Sequence, residues 1–209
     1  MNEVLLLGAG GLAREVAAAA ADRYRVAGIL DDDPTLHGHR VDGIEVLGPI
    51  LDAVRSRIPV LLCIGAGPGR RAVAARLAGH GIGDDRFATL IDRSVRVPAG
   101  CTVGAGSILL AGVVLTAGVR VGRHCVLMPN VTLTHDNRLH DFVTVAAGVS
   151  FGGGVTAGEG AYIGMNASVR QHVTIGAQAT VGMGAVVLRD VPDGETWAGV
   201  PAAAMLVRA

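Results

Sequence analysis

Large apolar residues return at every sixth position through residues 91–192, without a slip, over seventeen consecutive hexads. Counted from Ile91, sixteen of the seventeen first positions are large and apolar, and Ala157 is the exception. The fifth positions, beginning at Val95, are small or β-branched almost throughout. Neither a helical stripe nor strand alternation keeps one phase for about a hundred residues. A period of six marks a parallel β-helix whose short strands turn at glycine-rich corners. Three hexads make one triangular coil, so residues eighteen apart stack on neighbouring coils.

Residues 1–90 follow a different pattern. Apolar strands are expected at residues 4–7, 26–30 and 60–64, and a short one at 87–90. Helices are expected at about 12–21, 51–57 and 70–77, with a short excursion at 43–48. Strands alternating with helices imply a small parallel α/β sheet. The chain therefore divides into a Rossmann-like unit at 1–90, a solenoid at 91–192 and a tail at 193–209. The tail leaves the repeat and is expected to cap the open end, which would otherwise expose apolar surface and unpaired strands.

Gly8, Gly10 and Ala13 follow the first strand in the spacing of a dinucleotide fingerprint, with Ala in the third glycine's place, and Asp31 lies twenty residues after Gly11. About ninety residues cannot hold both halves of a dinucleotide fold, so a half-site for one nucleotide fits better than NAD. Gly10 and Gly11 would let a diphosphate approach the helix N-terminus. Asp31 or Asp32 could bond a base or ribose, and Gly65 would line the same crevice. Arg70 and Arg71 could pair with phosphate or be solvated helix charges.

Charge narrows the partners. The 18 cationic residues, all Arg, balance 18 acidic ones, so net charge is zero and broad nucleic-acid binding is disfavoured. Residues 97–119 carry no charge, but they hold the hexad phase and contain five glycines, which argues against a membrane span. The three cysteines, Cys63, Cys101 and Cys125, form no disulfide framework or metal spacing. With no signal-peptide pattern at its start, the chain is expected to be soluble and cytoplasmic.

His135 stands out among the corners. One coil earlier lies Ala117 and one coil later Gly153, within Gly152-Gly153-Gly154, so the imidazole has open space beside it. Asn137 is the one carboxamide at a fifth position, and a buried amide requires partners. It reads either as support for the histidine or as an internally bonded structural residue. His37, His39, His80, His124, His140 and His172 read as surface residues.

The GAGG loop, the LDDD strand end, the IGAG turn, the THDN hexad, IGMNASVRQHVTIG, VGMGAVVLRDVPDG and the terminal AGVPA span nearly the whole chain. In these the sequence resembles the left-handed β-helix (hexapeptide-repeat) acyltransferases, in the branch of sugar-nucleotide N-acetyltransferases and sialic acid O-acetyltransferases. The resemblance implies a homotrimer with sites between subunits, acetyl-CoA as donor and no metal. It makes His135 the general base, with Asp136 orienting the ring and stabilising the imidazolium. It places Gly153 at the developing oxyanion and Met165 and Met183 along the pantetheine arm. It assigns Gly8, Gly10, Gly11, Asp31, Asp32 and Gly65 to the nucleotide sugar. Two departures stand out. Thr144 occupies the place of a second histidine that contacts the acetyl group, where its hydroxyl could still donate. Ala203 follows Pro201-Ala202 where the family commonly has Lys, so that contact with the coenzyme phosphates is either absent or supplied by an arginine such as Arg170 or Arg208.

The expected activity is acetyl transfer to an amino group of a nucleotide-linked amino-deoxysugar. O-acetylation of a sugar such as sialic acid is the near alternative. A zinc-dependent carbonic anhydrase on this scaffold would need three protein ligands. His135 and His140 have its spacing, but Ala99 stands two coils before His135. A non-catalytic solenoid is the remaining alternative.

Overall fold

The computed structural model describes residues 2–205. The N-terminal unit is a five-stranded sheet built from β1 (Asn2–Leu7), β2 (Tyr24–Leu30), β3 (Arg40–Val41), β4 (Ile44–Gly48) and β5 (Val60–Leu62). Its strand order is β3-β4-β2-β1-β5, parallel except for the β3–β4 hairpin. Helix α1 (Gly11–Ala20) follows β1, and α2 (Gly67–Ala78) follows β5. The excursion expected at 43–48 is a sheet strand, because Val46 lines up beside Ile29 and is wholly buried. The helix expected at 51–57 is a 3₁₀ segment at Ile50–Arg55. At 87–90 the expected strand divides: Phe87 makes a single bridge to Val60, while Leu90–Ile91 joins the solenoid.

The repeat forms a left-handed parallel β-helix. Apart from the hexad that begins at Val97, each hexad's first residue lies in a two-residue strand, and partners eighteen apart pair in parallel register, as Arg120 does with Arg138 and Thr132 with Ser150. The strands stack into three faces. The first runs from Leu90–Ile91 through Ile108–Leu109, Val126–Leu127, Thr144–Val145 and Tyr162–Ile163 to Thr180–Val181. The second carries Leu115, Leu133, Phe151, Val169 and Val187, and the third Val121, Leu139, Ala157 and Ile175.

First and fifth hexad positions fill the prism, as the sequence requires. The exception at Ala157 has a volume reason. Its coil also carries Phe151, the one aromatic at a first position, and both are buried in the same core. At the far end Thr196–Ala198 extends the first face and pairs antiparallel with Ala203–Ala204. Trp197 closes the core there, its indole under the Arg189 guanidinium at 5.0 Å. The remainder of the expected cap, residues 206–209, lies outside the described residues.

The two units share a core. Side chains that follow the fifth position point outward, and on most strands they are polar. On the first face Ile108 and Val126 occupy these positions and are buried against the N-terminal sheet and α1. Burying side chains of this size contributes roughly 2 kcal/mol each. Gly67, at the start of α2, touches the corner at Phe142 and Gly160 so closely that a Cβ would overlap the Phe142 carbonyl oxygen. Only glycine permits that approach.

Arg70 locks this joint. Its guanidinium is wholly buried and meets no carboxylate. Instead it donates to the carbonyls of Ile64 and Gly65 at 2.8 Å in one unit. In the other unit it donates to His124 (2.8 Å), Phe142 (2.9 Å), Val143 (3.2 Å) and the Thr144 hydroxyl (2.9 Å). Burial pulls its pKa down to about 10. Neither expectation for Arg70 holds, because this cation is solvated by carbonyl dipoles. Arg71 pairs with Glu159 across the same joint at 3.1 Å.

His124 also departs from expectation. It is not a surface residue but is 2% exposed, edge-on to Phe87 and stacked on Phe142 with centroids 5.0 Å apart. The covered corner, not the residue's polarity, decides its burial.

Candidate active site

His135 and Asp136 form the corner between the second and third faces, between strands Thr132–Leu133 and Arg138–Leu139. Asp136 adopts φ of +61°, which Asp tolerates better than most residues. Its amide is held by the Ala117 carbonyl at 2.8 Å, one coil earlier. This turn brings the Asp136 carboxylate to 2.9 Å from Nδ1 of His135. Nδ1 is thereby occupied, and Nε2 faces outward from a side chain that is 62% exposed.

The next coil supplies the floor. Gly153 lies under the ring, and a Cβ there would overlap both Cε1 and Nε2 of His135. The His135 carbonyl accepts from Gly154 N–H at 2.8 Å, which fixes the spacing between the two corners. Asn137 is fully buried, and its amide donates to the Gly152 carbonyl at 2.7 Å. Its Oδ1 has no partner among the described residues. The carboxamide thus supports the glycine corner directly beneath the histidine.

A second constellation lies on the N-terminal unit. β2 and β5 flank β1 on opposite sides, so the carboxyl end of β1 is a switch point of the sheet, where open α/β folds place ligands. Gly8 turns at φ of +105° against Cys63, and Gly10 and Gly11 leave open space where side chains would stand. Gly10 caps α1 without a side-chain bond, so the first helical amides face this crevice together with Gly65.

The acidic residues are committed more firmly than expected. Asp31 accepts from the amides of Ala9 (2.7 Å) and Asp33 (2.9 Å), which shapes the glycine loop. Asp32 bonds Ile50 N–H at 3.1 Å and Arg76 at 2.5 Å, while its side chain stays 45% exposed. Thr144 needs correction as a donor to the acetyl group. It borders the crevice but is 5% exposed, and its one hydroxyl proton goes to the Gly65 carbonyl at 3.0 Å. The sequence reading missed this because it treated the hydroxyl without the domain that covers it.

Met165 and Met183 stack on the corner between the first and second faces, both exposed. Arg170 is exposed, one position before the column of His135 and Gly153, and Arg208 lies outside the described residues. The two constellations are therefore separate within one chain. His135 and Gly153 occupy the corner opposite the first face, and the glycine crevice, Met165 and Met183 adjoin that first face. Among the described residues no three His, Cys, Asp or Glu side chains gather as metal ligands, and no helix is long and apolar enough to cross a membrane.

Comparison with known proteins gives this arrangement a context. Residues 3–77 match the PglD N-terminal domain, and residues 95–135 and 154–189 match the hexapeptide repeat of succinyl-transferase. A histidine-to-alanine variant of GDP-perosamine N-acetyl transferase from Caulobacter crescentus, solved with CoA and GDP-perosamine, is 31% identical. The match covers 98% of this chain and 97% of that one, with a TM-score of 0.89. The acetyltransferase domain of PglB from Neisseria gonorrhoeae FA1090, solved with acetyl coenzyme A, is also 31% identical, covering 98% and 100% with a TM-score of 0.87. WeeI from Acinetobacter baumannii AYE is 25% identical, covering 98% and 100% with a TM-score of 0.85. No curated protein sequence matches the chain.

Fold and corner together define an acyltransferase of the hexapeptide-repeat class. Within that class the chain belongs to the family of sugar-nucleotide N-acetyltransferases that carry a PglD-type N-terminal domain.

Proposed function

We propose that the protein transfers the acetyl group of acetyl-CoA to an amino group of a nucleotide-linked amino-deoxysugar. The observation that carries this reading is the His135–Asp136 pair, which leaves Nε2 free above Gly153. Nε2 takes a proton from the acceptor amine as its nitrogen attacks the thioester carbonyl. The oxyanion is met by the Gly153 amide, which has no protein acceptor among the described residues. Collapse forms the amide bond and expels CoA thiolate, which recovers the proton from the imidazolium. Asp136 holds the ring in one orientation throughout and offsets its positive charge.

The nucleotide diphosphate occupies the crevice of Gly8, Gly10, Gly11 and Gly65, with the unused lone pairs of Asp31 towards the ribose or base. The pantetheine arm passes Met165 and Met183, whose exposed thioethers suit an apolar chain. Because the crevice and His135 lie on opposite sides of one prism, a neighbouring copy supplies the base, and a homotrimer is the assembly that satisfies every site. A cytoplasmic location suits an enzyme that uses CoA thioesters and nucleotide sugars.

Incubation with acetyl-CoA and a panel of UDP-, GDP-, dTDP- and CMP-linked amino sugars tests this, read by thiol release and mass spectrometry. One product heavier by a single acetyl group is expected. Full activity in a folded His135→Ala variant sinks the assignment of the base.

A further inference from the structure

An apolar groove continues from the crevice along the corner that carries Met165. Its first part, about 330 Å³, lies between Gly11 and Leu12 of α1 and the first face at Val126 and Met128. A second part, about 590 Å³, shares Glu15, Met128, Ala147 and Met165 with the first and runs on between Ala18 of α1 and Ala111 of the solenoid. Ala111, Pro129, Ala147 and Met165 are each eighteen residues apart, so they form one column. Coils step by about 4.8 Å. The column therefore offers a straight track three steps long beyond Met165, with small residues on both walls.

The chemistry of the lining selects the occupant. In the second part, beyond the nucleotide crevice, the charged groups among the lining residues are Glu15 and Asp92, both carboxylates, with no cation among them. A phosphate meets only repulsion in this second part. A hexose would give up water for too few polar partners. An alkyl chain meets neither objection.

We propose that the second part of this groove receives the carbon chain of a thioester longer than acetyl, which extends the donor range to acyl-CoA of four or more carbons. The proposal rests on the reading above. With the pantetheine arm against Met183 and Met165, carbons beyond the thioester continue along the same column towards Ala147, Pro129 and Ala111. The bond changes are those of acetyl transfer: an amide forms, the thioester breaks and CoA leaves as the thiol.

Binding of acetyl-CoA, butyryl-CoA and hexanoyl-CoA to the full chain, measured by titration calorimetry, tests it. The wild type is compared with Ala111→Leu and Ala18→Leu, which fill the groove from opposite walls at exposed positions. Each buried methylene strengthens binding by about fourfold, so butyryl-CoA, with two more, is expected to bind roughly fifteenfold more tightly than acetyl-CoA. Either leucine variant is expected to bring that ratio close to one. Longer thioesters that bind no better than acetyl-CoA overturn the proposal, as does an advantage that survives in both variants. In either case bound acetyl-CoA leaves the parent reading standing, whereas failure of every thioester to bind removes both.

Discussion

Nδ1 of His135 meets the carboxylate of Asp136 at 2.9 Å, a bond between chain neighbours that exists because the corner holds Asp136 at φ of +61°. The aspartate thus fixes which ring nitrogen faces the acceptor. Asp136→Asn keeps the size and removes the charge that offsets an imidazolium. Its turnover is expected to fall by about ten- to a hundredfold, and that of His135→Asn by about a hundredfold or more. Both side chains are mostly exposed, so thermal midpoints should barely move. Steady-state kinetics beside melting curves check the pair, and unchanged turnover in Asp136→Asn removes the aspartate from the mechanism.

Gly153 provides a separate steric test. Its φ lies outside the left-handed region, so alanine is acceptable to the backbone, yet the added Cβ would occupy the place of the His135 ring. The imidazole can swing into solvent, which relieves the overlap at little cost in stability. Gly153→Ala is expected to unfold within a few degrees of the wild type while losing at least about tenfold in turnover. Equal loss of folding and activity would argue that the glycine serves packing alone.

These two residues were legible in the sequence because the hexad count converts to space. A residue eighteen positions on is the next coil's neighbour, so Gly153 could be placed beside His135 without coordinates. The joint was not legible in that way. Arg70, His124 and Thr144 owe their roles to a second unit lying on the first face, and the repeat alone does not say which face is covered. A signal was present: Ile108 and Val126 are apolar at outward positions where Thr102, Arg120, Thr132 and Arg138 are polar. These two outward residues of one face, read together, mark the docking surface and hence the burial of its neighbours. The bonds that Asp32 makes were not legible for a related reason, since its partners Ile50 and Arg76 come from distant parts of the chain.

Arg70 is the charged group whose loss the fold should feel most. Arg70→Met leaves the carbonyls of Ile64, Gly65, His124, Phe142 and Val143 without this donor at a buried joint. Each unsatisfied buried group costs about 1–3 kcal/mol, partly recovered by relaxation. A net loss on the order of 4 kcal/mol lowers the thermal midpoint by about 10 °C in a chain of this size. Arg70→Lys is expected to fall between the two, because an ammonium has three donors and cannot span both units as the planar fork does. Differential scanning calorimetry gives the order. A lysine variant as stable as the wild type would show that charge, and not the fork, holds the joint.

His124 sets how stability responds to acid. Burial beside Phe87 and Phe142 pulls its pKa from 6.5 down to about 4. Below pH 6.5 the unfolded chain takes up a proton that the folded chain refuses until about pH 4. Stability is therefore complete above that window and declines as pH falls through it, by on the order of 3 kcal/mol in total. Substitution by Asn removes the titration and suits the left-handed φ of +53° at this position. Urea unfolding midpoints measured from pH 7 to pH 4 should drop steeply for the wild type and more shallowly for His124→Asn. Parallel declines would place the acid sensitivity elsewhere in the fold and leave His124 as a packing residue alone.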